Sequence, residues 1–278
     1  MTCGNRHHFP VRAGIPRFVP DDGYAENFAL EWHQHARTQY DSAESTESTE
    51  TFAAKTGLTQ SDIDGKTVLD YGCGSGRFSE VATRLGARVV GLDLSSAVNV
   101  AVANLRDRTF AGVQADALNP PFKKAAFDVV FSIGVLHHTP DCRRGVKQAA
   151  RLVKPGGIVA IWLYWKGIRV TPLTDLYRII TKRLPTKAFY TFCATWVPRI
   201  ERAHRIPIFG RILRLAVPIS NHGKSAWRVL DTFDWYSPVY QSKHDYRELE
   251  EWLAGEQFDR LERLSVPVAV RGVRARVR

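Results

Sequence analysis

The feature that most constrains the fold of this chain is a glycine-rich turn between an apolar segment and a helical pattern. In VLDYGCGSGRFSE, residues 68–80, the apolar run ends at Asp70 and three glycines follow at every second position. Apolar spacing typical of a helix begins at Phe78. Glycine permits positive φ angles and lets another molecule approach the main chain closely. The stretch therefore predicts a strand–turn–helix unit, whose turn either holds a ligand or only packs well.

The spacing of the glycines distinguishes this turn from the common phosphate-binding loops. A dinucleotide fingerprint reads G-x-G-x-x-G, and a P-loop ends in Lys-Ser or Lys-Thr. Here the pattern is D-x-G-x-G-x-G, and Arg77 follows the last glycine. Asp70, at the end of the strand, suits a cationic group of a ligand better than a phosphate. An NAD-dependent oxidoreductase is therefore not expected.

Further strand-like segments follow in a regular order. ARVVGLDLS (87–95) contains Asp93, which lies where a ribose-binding carboxylate belongs, about 20 residues beyond the glycines. A short strand precedes Asp116, and FDVVFSIGVLHHTPD (127–141) and LVKPGGIVAIWLY (152–164) contain two more. Strands that alternate with helical patterns predict an α/β fold with a mostly parallel sheet.

This order of motifs resembles the class I S-adenosylmethionine-dependent methyltransferases, over roughly residues 64–165, and in particular their small-molecule group. The resemblance implies a Rossmann-like, seven-stranded, mostly parallel sheet with helices on both faces, the cofactor S-adenosylmethionine, and methyl transfer to an acceptor. We expect four regions: an N-terminal extension with lid helices (1–60), a cofactor-binding core (61–165), a basic helical insertion that caps the acceptor side (166–228), and a C-terminal completion of the sheet (229–278).

The resemblance also implies roles for individual residues. Asp70 should help to hold the cofactor ammonium, Asp93 should accept hydrogen bonds from both ribose hydroxyls, and Asp116 should accept from the adenine amino group. Cys73 is expected to be a small packing residue and not a nucleophile. The remaining expected cofactor contacts come from the glycine turn and from the ends of later strands: Gly72, Gly74, Leu94, Ala117, Ile133, Gly134 and Val135.

The segment YAENFALEWHQHARTQYDS, residues 24–42, has a weakly mixed helical stripe of apolar residues. It is expected to cover the edge of the sheet, to close over the cofactor as a lid, or to do both. As a lid it would offer Trp32, Arg37 and Tyr40, and Arg37 would pair with the cofactor carboxylate.

Candidates for a general base lie where ligands bind in α/β folds, beyond the carboxyl ends of the strands. His137 and His138 follow the fourth strand, and a histidine with its ordinary pKa near ~6.5 suits proton abstraction. The other role for this pair is to brace the loop through hydrogen bonds. His138 is the first candidate and His137 the second, while Asp234, Tyr236 and His244 remain alternatives.

Positive charge is concentrated in one part of the chain. The formal net charge is +11, and residues 165–228 hold 13 Lys or Arg and two acids. This segment is either a helical cap whose cationic side chains extend outward or an attractor of anions. We favour a small-molecule or lipid-linked anionic acceptor, with a possible peripheral membrane contact through 166–228. RNA is less favoured because no RNA-binding module is visible.

Other sequence features concern metal binding and the cellular compartment. CGNRHHFPVRAGIPRFVP looks like the last part of a small zinc ribbon, but zinc needs about four ligands and only Cys3, His7 and His8 are available, so we predict no metal. Four scattered cysteines, the lack of a long apolar run and a start unlike a signal peptide predict a cytoplasmic protein. The oligomeric state is left open. The rival functions are RNA methylation and a non-catalytic, cofactor-binding regulator.

Overall fold

A computed structural model describes residues 8–167 and 172–276 of the chain. The strands are β1 (Val11–Arg12), β2 (Ile15–Pro16), β3 (Thr67–Tyr71), β4 (Arg88–Asp93), β5 (Phe110–Gln114), β6 (Phe127–Ile133), β7 (Val153–Trp162), β8 (Phe258–Arg263) and β9 (Ala269–Arg274). The helices are α1 (Glu26–Gln34), α2 (Glu47–Thr56), α3 (Gln60–Ile63), α4 (Arg77–Arg84), α5 (Ala97–Asn104), α6 (Cys142–Leu152), α7 (Pro172–Thr181), α8 (Thr186–His204), α9 (Phe209–Ala216), α10 (Ser225–Tyr236) and α11 (Tyr246–Ala254).

Seven strands form one sheet in the order β5-β4-β3-β6-β7-β9-β8. Strands β3 to β7 pair in parallel, whereas β9 is antiparallel to both β7 and β8. The predicted seven-stranded, mostly parallel sheet is therefore confirmed. In such a sheet the loops that follow the parallel strands meet at one edge, where ligands bind.

Strand β3 shows why the sheet is covered on both faces. Val68 packs into one apolar core together with Val129, while Leu69 and Tyr71 pack into the other with Val130. Successive side chains of a strand point to opposite faces, so a strand that buries all of them needs helices on each side. The apolar residues before Asp70 thus form a strand that is buried between the two cores of the molecule.

The chain between β7 and α11 forms a helical subdomain with its own core. Helix α10 packs against α7 and α8, and Phe189, Val197 and Phe233 are buried between them. The boundary predicted at residue 228 falls inside α10, so the helical insertion continues to Tyr236. Cys3 and His7, which belong to the ribbon-like start, lie outside the described residues. Within the described residues, no helix has the length and apolarity needed to cross a bilayer.

Candidate active site

A cavity of about 280 Å³ opens beyond the carboxyl ends of β3, β4, β6 and β7. Helices α1 and α10 provide much of the rest of its wall, and α2 and α4 contribute Lys55 and Arg77. This is the edge at which the sequence predicts the cofactor, and α1 lies where the lid was expected. No described residue of 166–228 lines the cavity. The helical subdomain reaches the cavity through the part of α10 that lies beyond residue 228, and the cap on the acceptor side stays a prediction.

The glycine turn forms one wall of the cavity, and two of its glycines are sterically required. Gly72 has a φ of +98°, and a Cβ there would lie 2.3 Å from Val135. Gly74 has a φ of +51°, and a Cβ there would lie 2.9 Å from the Nε1 atom of Trp32. Side chains other than glycine rarely adopt such angles. Trp32 therefore lies directly on the turn, as expected of a lid residue.

Asp93 lies in the cavity wall at the end of β4. Its carboxylate accepts hydrogen bonds from the backbone N–H of Gly74 at 2.8 Å, and from the N–H and hydroxyl of Ser95 at 2.8 and 2.7 Å. Burial nevertheless raises the pKa of Asp93 above its ordinary value. A carboxylate has about four acceptor positions, so part of its capacity remains for a ligand hydroxyl.

The predicted adenine contacts are only partly brought together. Leu94 and Ala117 line the cavity. Asp116 does not, and its carboxylate accepts from the backbone N–H of Leu118 at 2.8 Å and from the side chain of Asn119 at 3.1 Å. Asp116 thus caps its own turn in this structure and does not face the place expected for the adenine.

Asp70 is buried beneath the glycine turn and does not line the cavity. The hydroxyl of Ser79 donates to its carboxylate at 2.7 Å, and burial raises the pKa of Asp70 to about 7. Direct contact with a cofactor ammonium is thus not available to it in this geometry. Cys73 does line the cavity, and burial raises the pKa of its thiol well above the ordinary value. A thiol that stays protonated fits a packing role.

Of the remaining predicted cofactor contacts, some line the cavity and others do not. Ile133, Gly134 and Val135 line the cavity. Arg37 is exposed, with its guanidinium 4.4 Å from the centroid of the Tyr40 ring. Tyr40 does not face the cavity either, since its hydroxyl donates to the Ser75 carbonyl. The pairing of Arg37 with the cofactor carboxylate stays a prediction, and in this structure the guanidinium does not line the cavity.

Two other cations, Lys55 and Arg77, line the cavity in place of Arg37. The ammonium of Lys55 lies 3.3 Å from the centroid of the Trp162 ring, and burial together with nearby Arg77 lowers the pKa of Lys55 to about 7. Arg77 donates to Ser48 at 2.8 Å and to Gln39 at 3.0 Å. These residues are spread over α2 and α4, so no single motif of the sequence pointed to them.

The two histidines have different surroundings. His138 lines the cavity, and its Nδ1–H donates to the Tyr240 carbonyl at 3.1 Å, which leaves the buried Nε2 atom without a described partner. Burial lowers the pKa of His138 to about 4. His137 does not line the cavity, because it stacks on Tyr164 and its Nδ1 atom accepts from the Tyr164 N–H at 3.3 Å. Its position is that of a brace.

Of the alternative bases, only Asp234 faces the cavity. It accepts from the Tyr164 hydroxyl at 3.0 Å, and burial raises the pKa of Asp234 to about 6. Tyr236 is ruled out as a base by its position, since its hydroxyl donates to the Pro218 carbonyl inside the helical subdomain. His244 is engaged with Ser242 and Glu248 outside the cavity.

Two acids in the wall were missed by the sequence analysis. Glu31 on α1 is 1% exposed, and Asp231 lies one turn before Asp234 on α10. Helical spacing contained the signal for both. Residues three or four apart share a face, so Phe28 and Glu31 project together, as do Asp231 and Asp234. An acidic residue within the apolar stripe of α1, and again within that of α10, indicated that these faces line a binding site.

Comparison with known proteins agrees with this geometry. Residues 69–161 match the family described as "Methyltransferase domain". The chain is 34% identical over 128 residues to the ubiquinone biosynthesis O-methyltransferase of Bordetella pertussis, which covers 44% of this chain and 51% of that one. The chain thus spans about half the length of the curated relatives it matches.

Solved structures share the fold. An O-methyltransferase family protein from Burkholderia thailandensis superposes with a TM-score of 0.53 at 15% identity, over 92% of this chain and 61% of the other. The magnesium protoporphyrin IX methyltransferase of Synechocystis, solved with bound S-adenosylhomocysteine, gives 0.52 at 14% identity over 90% and 97%. Residues 69–161 of this chain are thus similar to a methyltransferase domain, and the fold over most of its length is that of solved methyltransferases. S-adenosylmethionine is the cofactor of this domain, and the glycine turn with Asp93 is the arrangement that suits it.

Proposed function

We propose that the chain transfers a methyl group from S-adenosylmethionine to an oxygen atom of a small-molecule acceptor, with His138 as the general base. The observation that carries this proposal is the unpartnered Nε2 atom of His138, held in the cavity wall by the bond from Nδ1 to Tyr240. Oxygen is favoured because the similar ubiquinone biosynthesis enzymes are named O-methyltransferases. We also propose that Gly72, Gly74 and Asp93 bind the cofactor.

Different residues of the cavity would bind the cofactor, exclude water and accept the proton. When bound, the cofactor supplies an activated methyl group and a good leaving group. Asp93 would hold the ribose, and Trp32 would close over the glycine turn, which excludes water. The acceptor oxygen would bond to the methyl carbon while the sulfur–methyl bond breaks. The hydroxyl proton would pass to Nε2 of His138, which is neutral at pH 7 because its pKa is about 4.

The test of methyl transfer does not require a known acceptor. Purified protein is incubated with metabolite extract and S-adenosylmethionine carrying a labelled methyl group, and labelled small molecules are detected by mass spectrometry. We expect a labelled product that His138→Ala lowers by about 10²-fold. Cofactor binding in calorimetry without any labelled product would instead support the non-catalytic regulator, and label confined to added RNA would support the rival RNA methyltransferase.

We also propose that the helical subdomain contacts an anionic membrane surface. Its outer helices α7, α8 and α9 carry exposed apolar side chains at helical spacing, here called the cap face: Leu176, Ile179, Ile180, Phe192, Trp196, Phe209, Ile212 and Leu215. Ile180 is 64% exposed and Leu215 is 66% exposed. Lys182, Arg183 and Arg211 are exposed among them. Apolar side chains interleaved with cations are typical of interfacial helices on anionic lipid.

A further inference from the structure

Three carboxyl groups lie together in the part of the cavity wall that α1 and α10 build: Glu31, Asp231 and Asp234. Glu31 is almost fully buried, and its Oε2 atom has no hydrogen-bond partner among the described residues. Burial raises the pKa of Glu31 well above its ordinary value, and the nearby charges of Asp234 and Asp231 raise it further. The three acids therefore interact with each other in one enclosed space.

The position of this acid group along the sheet separates it from the ribose site. Asp234 is bonded to Tyr164, which directly follows β7, whereas Asp93 ends β4. Strands β3 and β6 lie between β4 and β7. Neighbouring strands are about 4.8 Å apart, so Tyr164 lies roughly 14 Å along the edge of the sheet from Asp93. The acid group is thus on the acceptor side of the cavity.

The cations of the cavity, Lys55 and Arg77, attract the charge of Asp231 but are themselves held by other groups. Arg77 is held by Ser48 and Gln39, and the Lys55 ammonium lies over the Trp162 ring. Arg178, which stabilises the charge of Asp234 from behind, donates to the carbonyls of Trp235 and Pro238 and does not line the cavity. Among the described residues, no ion pair within 4 Å involves any of the three acids.

A purely structural role does not account for the arrangement. A buried carboxyl without a hydrogen bond destabilises a protein relative to an apolar side chain of the same shape. His138 adds an independent sign of a ligand, because its buried Nε2 atom in the same cavity is also unpartnered. Asp234 accepts from Tyr164 and Asp231 from the hydroxyl of Ser220. The unpartnered Oε2 atom of Glu31 beside the unpartnered Nε2 atom of His138 describes a site prepared for a molecule that brings both a cation and a hydroxyl proton.

We infer that Glu31, Asp231 and Asp234 bind a protonated amino group of the acceptor, so that the substrate is an amine-bearing small molecule methylated on a hydroxyl group. This inference rests on the proposed function and names its substrate class. It replaces the expectation of an anionic acceptor, which relied on cations that the structure places outside the cavity. An ammonium group would satisfy the acids and allow Glu31 to ionise.

The test uses the labelled product of the extract experiment described above. The product is applied to a strong cation exchanger at pH 5, before and after treatment with acetic anhydride, which neutralises primary and secondary amines. We expect retention that acetylation abolishes. Glu31→Gln and Asp234→Asn should each lower product formation by about tenfold or more and leave the affinity for S-adenosylmethionine within about twofold. Asp107→Asn, on an exposed acid, is the matched control.

Two results would overturn the inference while the proposed function stands. One is a labelled product that passes through the exchanger without retention. The other concerns the source of the cation, since the cofactor sulfonium is itself positive and S-adenosylhomocysteine lacks that charge. If Glu31→Gln and Asp234→Asn weaken S-adenosylmethionine in calorimetry, the acids serve the cofactor: loss for S-adenosylmethionine alone would assign them to its sulfonium, and equal loss for S-adenosylhomocysteine would assign them to the ammonium that both molecules carry. The absence of any labelled product with the wild-type protein would count against the proposed function instead. Asp234→Asn keeps an acceptor for Tyr164, so it provides the answer if Glu31→Gln does not fold.

Discussion

At the scale of single residues, the cavity and the turn above Asp70 combine groups whose pKa values burial has moved far from their ordinary values. Asp70, Asp234 and Glu31 have raised pKa values, while those of His138 and Lys55 are lowered. In each case removal from water is the largest cause. Such groups cluster at functional sites more than elsewhere, because a charge is retained there for the ligand.

Asp93→Ala tests the ribose contact. The variant should bind S-adenosylmethionine about 10²-fold more weakly, because ribose hydroxyls would lose their acceptor in a closed site and the bonds to Gly74 and Ser95 would also be lost. Isothermal titration calorimetry measures the change, and Asp107→Ala is the control on an exposed acid. An unchanged affinity would show that the ribose is held elsewhere.

His138→Ala and His137→Ala separate a base from a brace. His138→Ala should lower kcat by about 10²-fold with little change in cofactor affinity. His137→Ala should lower the melting temperature instead, because the ring stacks on Tyr164 at 3.8 Å between centroids. Turnover and thermal unfolding of both variants are compared. A His138→Ala enzyme with normal turnover would reassign that residue to bracing the loop.

Asp70 should make the stability of the protein depend on pH. Its pKa is about 7 when folded and near its ordinary 3.8 when unfolded, so the folded state binds more protons between these values. Its contribution to the free energy of unfolding is therefore fully present below about pH 4 and is lost as the pH rises through 7. The full change is on the order of 4 kcal/mol. Asp70→Asn should remove this component in urea denaturation at pH 5 and pH 8. Equal pH dependence in both proteins would contradict it.

At the scale of elements, the sequence predicted what is local and periodic. The strand–turn–helix unit and the parallel strands after it follow from spacing. The sequence did not predict that the helical subdomain would reach the cavity through the part of α10 beyond residue 228, or that Tyr236 would turn away from it. Those outcomes depend on how the helices pack. An apolar stripe such as that of α10 shows that a helix buries one face, but a single sequence does not show which surface that face packs against.

Gly72→Ala tests the turn as an element. The methyl group would meet Val135 at 2.3 Å, and a φ of +98° is strained for alanine, so stability should fall by about 1–3 kcal/mol and cofactor binding should weaken. Gly223→Ala is the matched control, since a Cβ there meets nothing within 4 Å. Chemical denaturation and calorimetry report the two effects. If Gly72→Ala behaved like Gly223→Ala, the turn would not need its glycine.

At the scale of the whole molecule, the structure separates two surfaces that the sequence had merged. The cations of the insertion suggested an anionic acceptor, but most of those that the structure describes lie on the outside of the helical subdomain, Arg178 and Arg228 are buried within it, and none of them lines the cavity. The basic charge and the substrate are therefore independent questions. We propose that the cap face contacts a membrane surface and that the cavity binds the acceptor.

Charge reversal on the cap face tests the membrane contact. The triple variant Lys182→Glu, Arg183→Glu and Arg211→Glu should abolish binding to vesicles containing phosphatidylglycerol and leave cofactor affinity unchanged, because no described residue of 166–228 lines the cavity. Arg178 is left intact, since its guanidinium holds the carbonyls of Trp235 and Pro238.

The control makes the same change of charge elsewhere, at Arg106, Lys123 and Lys124, which are exposed away from the helical subdomain. That variant should sediment with the vesicles as the wild type does. Wild-type binding should weaken as salt rises, since attraction between exposed charges is screened within about 10 Å at 0.1 M salt. Equal loss of binding in both triple variants would mean that net charge alone drives the attraction. Retained binding in the cap-face variant, or loss of RNA binding in place of vesicle binding, would exclude the cap face as a lipid-binding surface.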